Sequence, residues 1–237
     1  MWRAWHFVTG LIPVLALAAP VVPDRPGFST GTATVPPGAW QVEMGIQSSY
    51  GTRSGDPDSY TAPLLNLRTG LTARTEFNLL WDGVQVVEGG DEVTADPMFG
   101  AKHRLVTEDR YNISLLGYLS WQEERLAPFL GLLWDRALAA DVGLFGTLQV
   151  ATGVEQGRLE AYFQPAVGLS FAHGEQLGSF IEIYAERRLA AGSETATVVD
   201  AGLAWLPRED LQLDLNFGIS LDRRSDDFIG IGLAVRY

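Results

Sequence analysis

The polar and apolar positions alternate with a period of two along most of the chain. The clearest window is Asp210 to Leu221. Leu211, Leu213, Leu215, Phe217, Ile219 and Leu221 alternate there with Asp210, Gln212, Asp214, Asn216, Gly218 and Ser220. On a helix those apolar side chains would scatter around the axis; on a strand they line one face. The same alternation recurs in windows starting at Trp40, Thr75, Tyr111, Leu159, Thr195 and Ile229. Less regular stretches lie near 60–71, 93–106, 126–135, 139–152 and 177–188. The pattern predicts an all-β chain of about twelve strands. Many are longer than the 5–6 residues usual in globular sheets and match the roughly 9–11 that cross a bilayer at a tilt.

Alternating strands fit two architectures: a soluble sandwich with a dry core, or a membrane barrel with a polar lumen. An even number of long strands closes without an unpaired edge, as hydrocarbon requires. Aromatics on the apolar face fall at segment ends, with Trp40, Tyr111, Phe171, Trp205 and Tyr237 at one end and Tyr50, Trp81 and Trp121 at the other. Those are girdle positions, where an amphipathic ring meets head groups. Connections at 51–59, 84–92 and 189–194 are long or polar, while those at 70–73, 107–110, 173–176 and 207–209 are short. Long outside and short inside is the arrangement of outer-membrane barrels. The expected fold is an antiparallel transmembrane up-and-down β-barrel of about 12 strands spanning 38–237, in the outer membrane of a Gram-negative bacterium. Tyr237 closes the last strand with a terminal aromatic that resembles the signal read by the barrel insertion machinery, and this machinery and outer-membrane lipid are the expected partners.

Met1 to Ala18 reads as a cleavable signal peptide. Arg3 is the basic start, Phe7 to Leu17 the apolar stretch and Ala16-Leu17-Ala18 the small-x-small site. A membrane anchor fits less well, because the apolar run is short and contains Pro13. Residues 19–37 carry Pro20, Pro23, Pro26, Pro36 and Pro37 and are expected as an extended periplasmic lead-in.

Composition narrows the chemistry. The 237 residues hold no cysteine, which excludes disulfides and thiolate sites. The net charge is −12 and Lys102 is the one lysine, so nucleic acid is excluded as a partner. His103 and His173 stand apart from any His-x-Glu-x-x-His run, and both fall near the short-turn end, which weighs against an outer-membrane lipid-modifying enzyme. Asp56-Pro57-Asp58 reads as a solvated loop rather than a calcium site. No enzyme chemistry, metal or cofactor is expected. The inward polar set is Glu43, Arg68, Arg74, Glu76, Asp82, Lys102, Arg104, Glu160, Glu182, Glu186, Arg188, Asp200, Asp214 and Arg236. Such charges either filter solutes or close the interior with ion pairs, and Arg68, Arg74 and Glu76 cluster around one hairpin.

Several motifs are familiar. Asn66-Leu67-Arg68-Thr69-Gly70-Leu71-Thr72-Ala73-Arg74-Thr75-Glu76 resembles the Arg-aromatic-Gly-Leu…Glu hairpin of the outer-membrane barrel "transporter" family catalogued under the MetA pathway of phenol degradation. Asp96-Pro97-Met98-Phe99-Gly100-Ala101-Lys102-His103-Arg104-Leu105 resembles that family's Asp…Gly-x-Lys-aromatic-Arg strand. Asp200-Ala201-Gly202-Leu203 and Leu213-Asp214-Leu215-Asn216-Phe217-Gly218 resemble its final strands. The likeness runs from about Thr34 to Tyr237. Thr69 and His103 depart from it by standing at aromatic positions, and Gln122-Glu123-Glu124 departs by replacing a Pro-Thr-Gly turn. The resemblance implies a channel passing small solutes passively, hydrophobic or aromatic ones included. The alternative is a closed barrel with a structural or assembly role.

Overall fold

A computed structural model describes residues 20–53, 56–90 and 92–237. The signal peptide expected over 1–18 lies outside them. The elements are β1 (Trp40–Tyr50), β2 (Ser59–Thr72), β3 (Thr75–Trp81), β4 (Val84–Val87), β5 (Glu92–Thr94), β6 (Met98–Thr107) and β7 (Tyr111–Gln122). They continue with β8 (Arg125–Ala137), β9 (Val142–Glu155), β10 (Arg158–Ala172), β11 (Leu177–Arg188), β12 (Thr195–Arg208), β13 (Leu211–Ser220) and β14 (Asp227–Arg236).

β1 pairs with both β2 and β14, and every other barrel strand pairs antiparallel with its neighbours, so the sheet closes on itself. Twelve strands form the wall. β4 and β5 form a small hairpin on the upper part of β2. The stretch expected as one strand over 93–106 is divided, because Pro97 cannot donate to a ladder. Its first residues join the β4–β5 hairpin, and the wall strand begins at Met98. The end where β1 begins and β14 finishes is called lower here, and the opposite end upper. Four upper connections are long (51–58, 82–97, 189–194 and 221–226). Two others are two-residue turns, Glu123-Glu124 and Gln156-Gly157, with positive φ throughout. That backbone twist suits a tight hairpin.

The alternation decides which face looks where. In β13, Leu213, Leu215, Phe217 and Ile219 are 38–52% exposed, while Gln212, Asp214, Asn216 and Ser220 are at most 9% exposed. A water-soluble protein has the opposite distribution. The apolar row covers the outside of the barrel and the polar row faces the lumen. Trp40, Tyr111, Trp205 and Tyr237 are exposed at the lower rim, and Tyr50 and Trp121 at the upper.

Four inward rings meet a glycine directly across the ladder: Tyr118 and Gly100, Phe145 and Gly168, Phe180 and Gly202, Phe228 and Gly218. A Cβ at any of these glycines would run into the ring. The missing side chain lets each ring lie against the wall rather than across the lumen.

Candidate functional site in the barrel lumen

Residues 20–37 do not stand outside the barrel as a lead-in. They are extended, as their prolines require, but they thread into the lumen. The reason is charge and hydrogen bonding: inward carboxylates and cations find their partners on this segment. At the lower rim Arg236 Nη1 donates to Pro20 O, and Val21 N donates to Glu209 O. The segment then climbs. Asp24 N donates to both oxygens of Glu43, and Arg25 binds Asp214 at 3.1 Å. The Arg25 guanidinium fits over Gly45 and Gly232, which are ladder partners too small to obstruct it. The apex is Gly27 to Ser29. Phe28 N and Ser29 N donate to Glu182, and the Phe28 ring stacks on Tyr184. The segment then descends. Thr32 bonds to Asp135 through its hydroxyl and to Ser114 through its carbonyl, and Val35 N donates to Glu76. It enters β1 beside Gly70, bridged to Pro37. The segment is a plug that touches β1, β2, β3, β6, β7, β8, β11, β13 and β14.

Its anchor is a buried charge cluster. Arg68 from β2 grips Glu76 from β3 through two bonds, Nε to Oε1 at 3.0 Å and Nη2 to Oε2 at 2.9 Å. Its remaining donors reach Glu43, Val22 O and Ala33 O. Lys102 Nζ donates to Asp24 at 2.6 Å and to Ala33 O. Arg68, Lys102, Glu43 and Glu76 are all buried, so the pairing compensates a large desolvation cost. The fork geometry of the Arg68–Glu76 contact gives a strong, charge-assisted pair.

The other inward positions read from the sequence are distributed by height. Arg104 and Arg236 lie low, with Asp214 above them on β13. Glu182 and Asp200 are directly opposed across β11 and β12 at mid-height. Glu160 and Arg188 form an ion pair at 2.8 Å near the upper rim, and Glu186 accepts from Gln164. Asp82 follows β3 and borders the upper lumen. Arg74 differs, because it sits in the tight turn between β2 and β3, exposed, at the lower rim. It shares the parity of Glu76, but β3 begins only at Thr75, so its side chain stands beyond the end of the strand.

Above the plug the lumen is hollow. A cavity of about 480 Å³ is bordered by Asp24 and Phe28 below and by Leu80, Met98, Leu116 and Phe129 on one wall. Leu116, Tyr118 and Leu133 pack as an inward apolar cluster there. A second cavity of about 340 Å³ runs from Ser225 and Asp226 at the upper rim down to Phe28, Tyr184 and Phe228. At its mouth, burial and the charges of Asp56, Asp58 and Asp227 push the Asp226 carboxyl above its ordinary range. Among the described residues no group of three or more acidic or histidine side chains is arranged to hold a metal ion. His103 and His173 stand at the lower rim, hydrogen-bonded to Thr75 and Ser179.

Sequence reasoning missed Asp24, Arg25, Phe28 and Thr32. The available signal was an excess of inward carboxylates over inward cations, followed upstream by Asp24-Arg25 and an aromatic in a stretch unable to form a strand of its own.

A closed antiparallel barrel that is apolar outside, polar inside and ringed by aromatics at both rims has the fold of the bacterial outer-membrane barrels. Solved structures agree. The COG4313 outer membrane channel from Pseudomonas putida F1 superposes with a TM-score of 0.67 at 13% identity, over 90% of this chain and 99% of that one. The NanC porin gives 0.60 at 8% identity over 83% and 98%, and the KdgM porin 0.59 at 8% over 82% and 98%. No protein-family model and no curated protein matches the chain.

Proposed function

We propose that the protein is an outer-membrane channel passing small solutes passively, with residues 20–37 as its internal constriction. The upper end faces outward and the plug closes from the periplasmic side. The observation that carries this reading is the mismatch between the two halves of the lumen. The lower half is filled by a chain segment held through polar contacts, whereas the upper half keeps open cavities that a purely structural barrel does not need. The fold shared with a channel and two porins supports it. Inward Leu80, Met98, Leu116 and Phe129 suit hydrophobic or aromatic bodies among the solutes. Such a channel selects by width and lumen charge, without enzyme chemistry or a cofactor.

One observation favours the second reading, a closed barrel. The Arg68 cluster and the plug occlude the lower lumen as they stand. Planar-bilayer recordings of the refolded chain with and without residues 20–37 separate the two. A channel shows small or intermittent conductance that rises several-fold on deletion. A barrel silent in both forms, yet folded, refutes the channel reading.

A further inference from the structure

Glu182 and Asp200 are neighbouring carboxylates on the lumen wall, each 1% exposed. Among the described residues neither is paired with an arginine or lysine. Glu182 is occupied by the plug, whose Phe28 and Ser29 amides donate to its oxygens at 2.9–3.2 Å. Among the described residues neither oxygen of Asp200 completes a hydrogen bond, although the Phe28 amide lies close to it. A buried carboxylate that completes no hydrogen bond is costly, so the site is built for a positive group that is not part of the wall.

The surroundings specify what kind. Phe180 and Glu182 together flank Gly27, the first residue of the plug apex. Phe180 lies over Gly202, two residues along β12 from Asp200. Phe228 lies over Gly218, the ladder partner of Asp200. Tyr184 stacks under Phe28. Carboxylates bordered by aromatic rings hold organic cations, since the ammonium meets the acids while rings cover its hydrocarbon and attract its charge. The approach is acidic too. The 340 Å³ cavity that ends on Phe28, Tyr184 and Phe228 opens beside Asp226, close to Asp56, Asp58 and Asp227.

We propose that the Glu182–Asp200 pair, walled by Phe180, Tyr184 and Phe228, is a binding site for small amine-bearing organic cations, and that the plug apex occupies it as a placeholder. The Phe28 and Ser29 amides hold the positions an ammonium takes. An arriving cation completes bonds to Asp200, which the Phe28 amide only approaches, in addition to Glu182. It therefore competes with the apex and lifts it away from the wall. This deepens the channel reading by naming the solute class and the contact that admits it.

The test is ligand-observed NMR with butylammonium chloride on the refolded protein in zwitterionic detergent, with butanol as the uncharged control. Folding of each variant is monitored by heat-modifiable electrophoretic mobility. Wild type is expected to bind butylammonium saturably and butanol at least tenfold more weakly. Asp200→Asn and Glu182→Gln each weaken butylammonium at least tenfold. Phe28→Ala tightens it several-fold, because the cap no longer competes. Absence of saturable binding overturns the proposal. So does equal binding by Asp200→Asn, or a loss in Asp226→Asn as large as that in Asp200→Asn, which would move the site to the mouth. Conductance separates the two readings. Current without saturable butylammonium binding removes the site and leaves the channel, while binding without current in any form, plug-deleted included, removes the channel and leaves the site.

Discussion

Phe28 stacks on Tyr184 with ring centroids 4.1 Å apart and planes within 6° of parallel. This contact joins the apex of the plug to the barrel wall. It adds to the buried Val21 and Val35 as an apolar contact in a segment that also carries many hydrogen bonds and ion pairs. An aromatic pair adds about 0.5–1.5 kcal/mol beyond its buried area. The apex is held by this stack and by the Phe28 and Ser29 amides on Glu182, while the Arg68 cluster fixes the segment lower down.

The first prediction follows from that difference. Phe28→Ala raises the open time of the channel, and Tyr184→Ala does so by a similar factor. The double variant gains less than the product of the two. Single-channel recording of all four proteins checks the coupling.

Arg68 holds two wall strands and the plug together. Removing it strands Glu43 and Glu76 in the lumen without their fork partner. Breaking a buried ion pair from one side costs roughly 3–5 kcal/mol. Arg68→Ala is expected to destabilise the barrel by about that amount in urea unfolding from detergent. Replacement of the exposed Arg208, which pairs with Asp210 at the lower rim, changes stability by less than about 1 kcal/mol.

The rings that lie over glycines make a steric prediction. Gly218→Val places a branched side chain where Phe228 rests, so the ring must swing into the lumen. Overpacking of this kind costs about 1–3 kcal/mol. Conductance through the plug-deleted barrel is expected to fall while the fold persists. Gly230 lies two residues from Phe228 on the same inward row and faces Asn216, so Gly230→Ala is expected to have a smaller effect on conductance.

The lower cluster responds to pH through the plug. Asp24 meets Arg68 and Lys102 together with Glu43 and Glu76, so three carboxylates face two cations. Burial outweighs the attraction of the two cations and pushes the Asp24 carboxyl up to about 6. An undocked segment would leave it near 3.8. A raised acid binds its proton more tightly when docked. The contribution to docking is therefore complete below about 3.8 and fades as pH rises through about 6. Acidification from pH 7.5 to 5 is expected to reduce open time, and Asp24→Asn to abolish the step. A cysteine placed at Thr30 offers a second readout, since the chain has no other cysteine. Its labelling by a membrane-impermeant reagent should slow in acid by more than it does in the Asp24→Asn background, which controls for the loss of thiolate itself.

The outer face is tested by charge. Leu215 is exposed on the apolar row of β13, near the middle of the strand. Leu215→Arg is expected to cost about 2–4 kcal/mol in lipid, as at a bilayer midplane. Asn216→Ala, one residue along and facing inward, removes only the bond to Pro26 O and costs about 1 kcal/mol. Equal effects would contradict an outward apolar row.

Strand number, direction and the facing of side chains were legible in the sequence because each depends on local period. Leu211 to Leu221 states its own inside and outside, and prolines and turn residues state where strands stop. Inward Glu43, Arg68, Glu182 and Asp200 follow from the same parity, as do the glycines that keep the lumen open. What the lumen contains was not local. Residues 20–37 have no period and form no ladder, so nothing near them in the chain says where they lie. Asp24 finds Lys102 78 positions away, and Arg25 finds Asp214 189 positions away. Those pairings form only once the sheet has closed and brought unpaired buried charges to face one another. The ladder fixed the wall residue by residue, and the cost of leaving charge unsatisfied inside that wall drew the plug in.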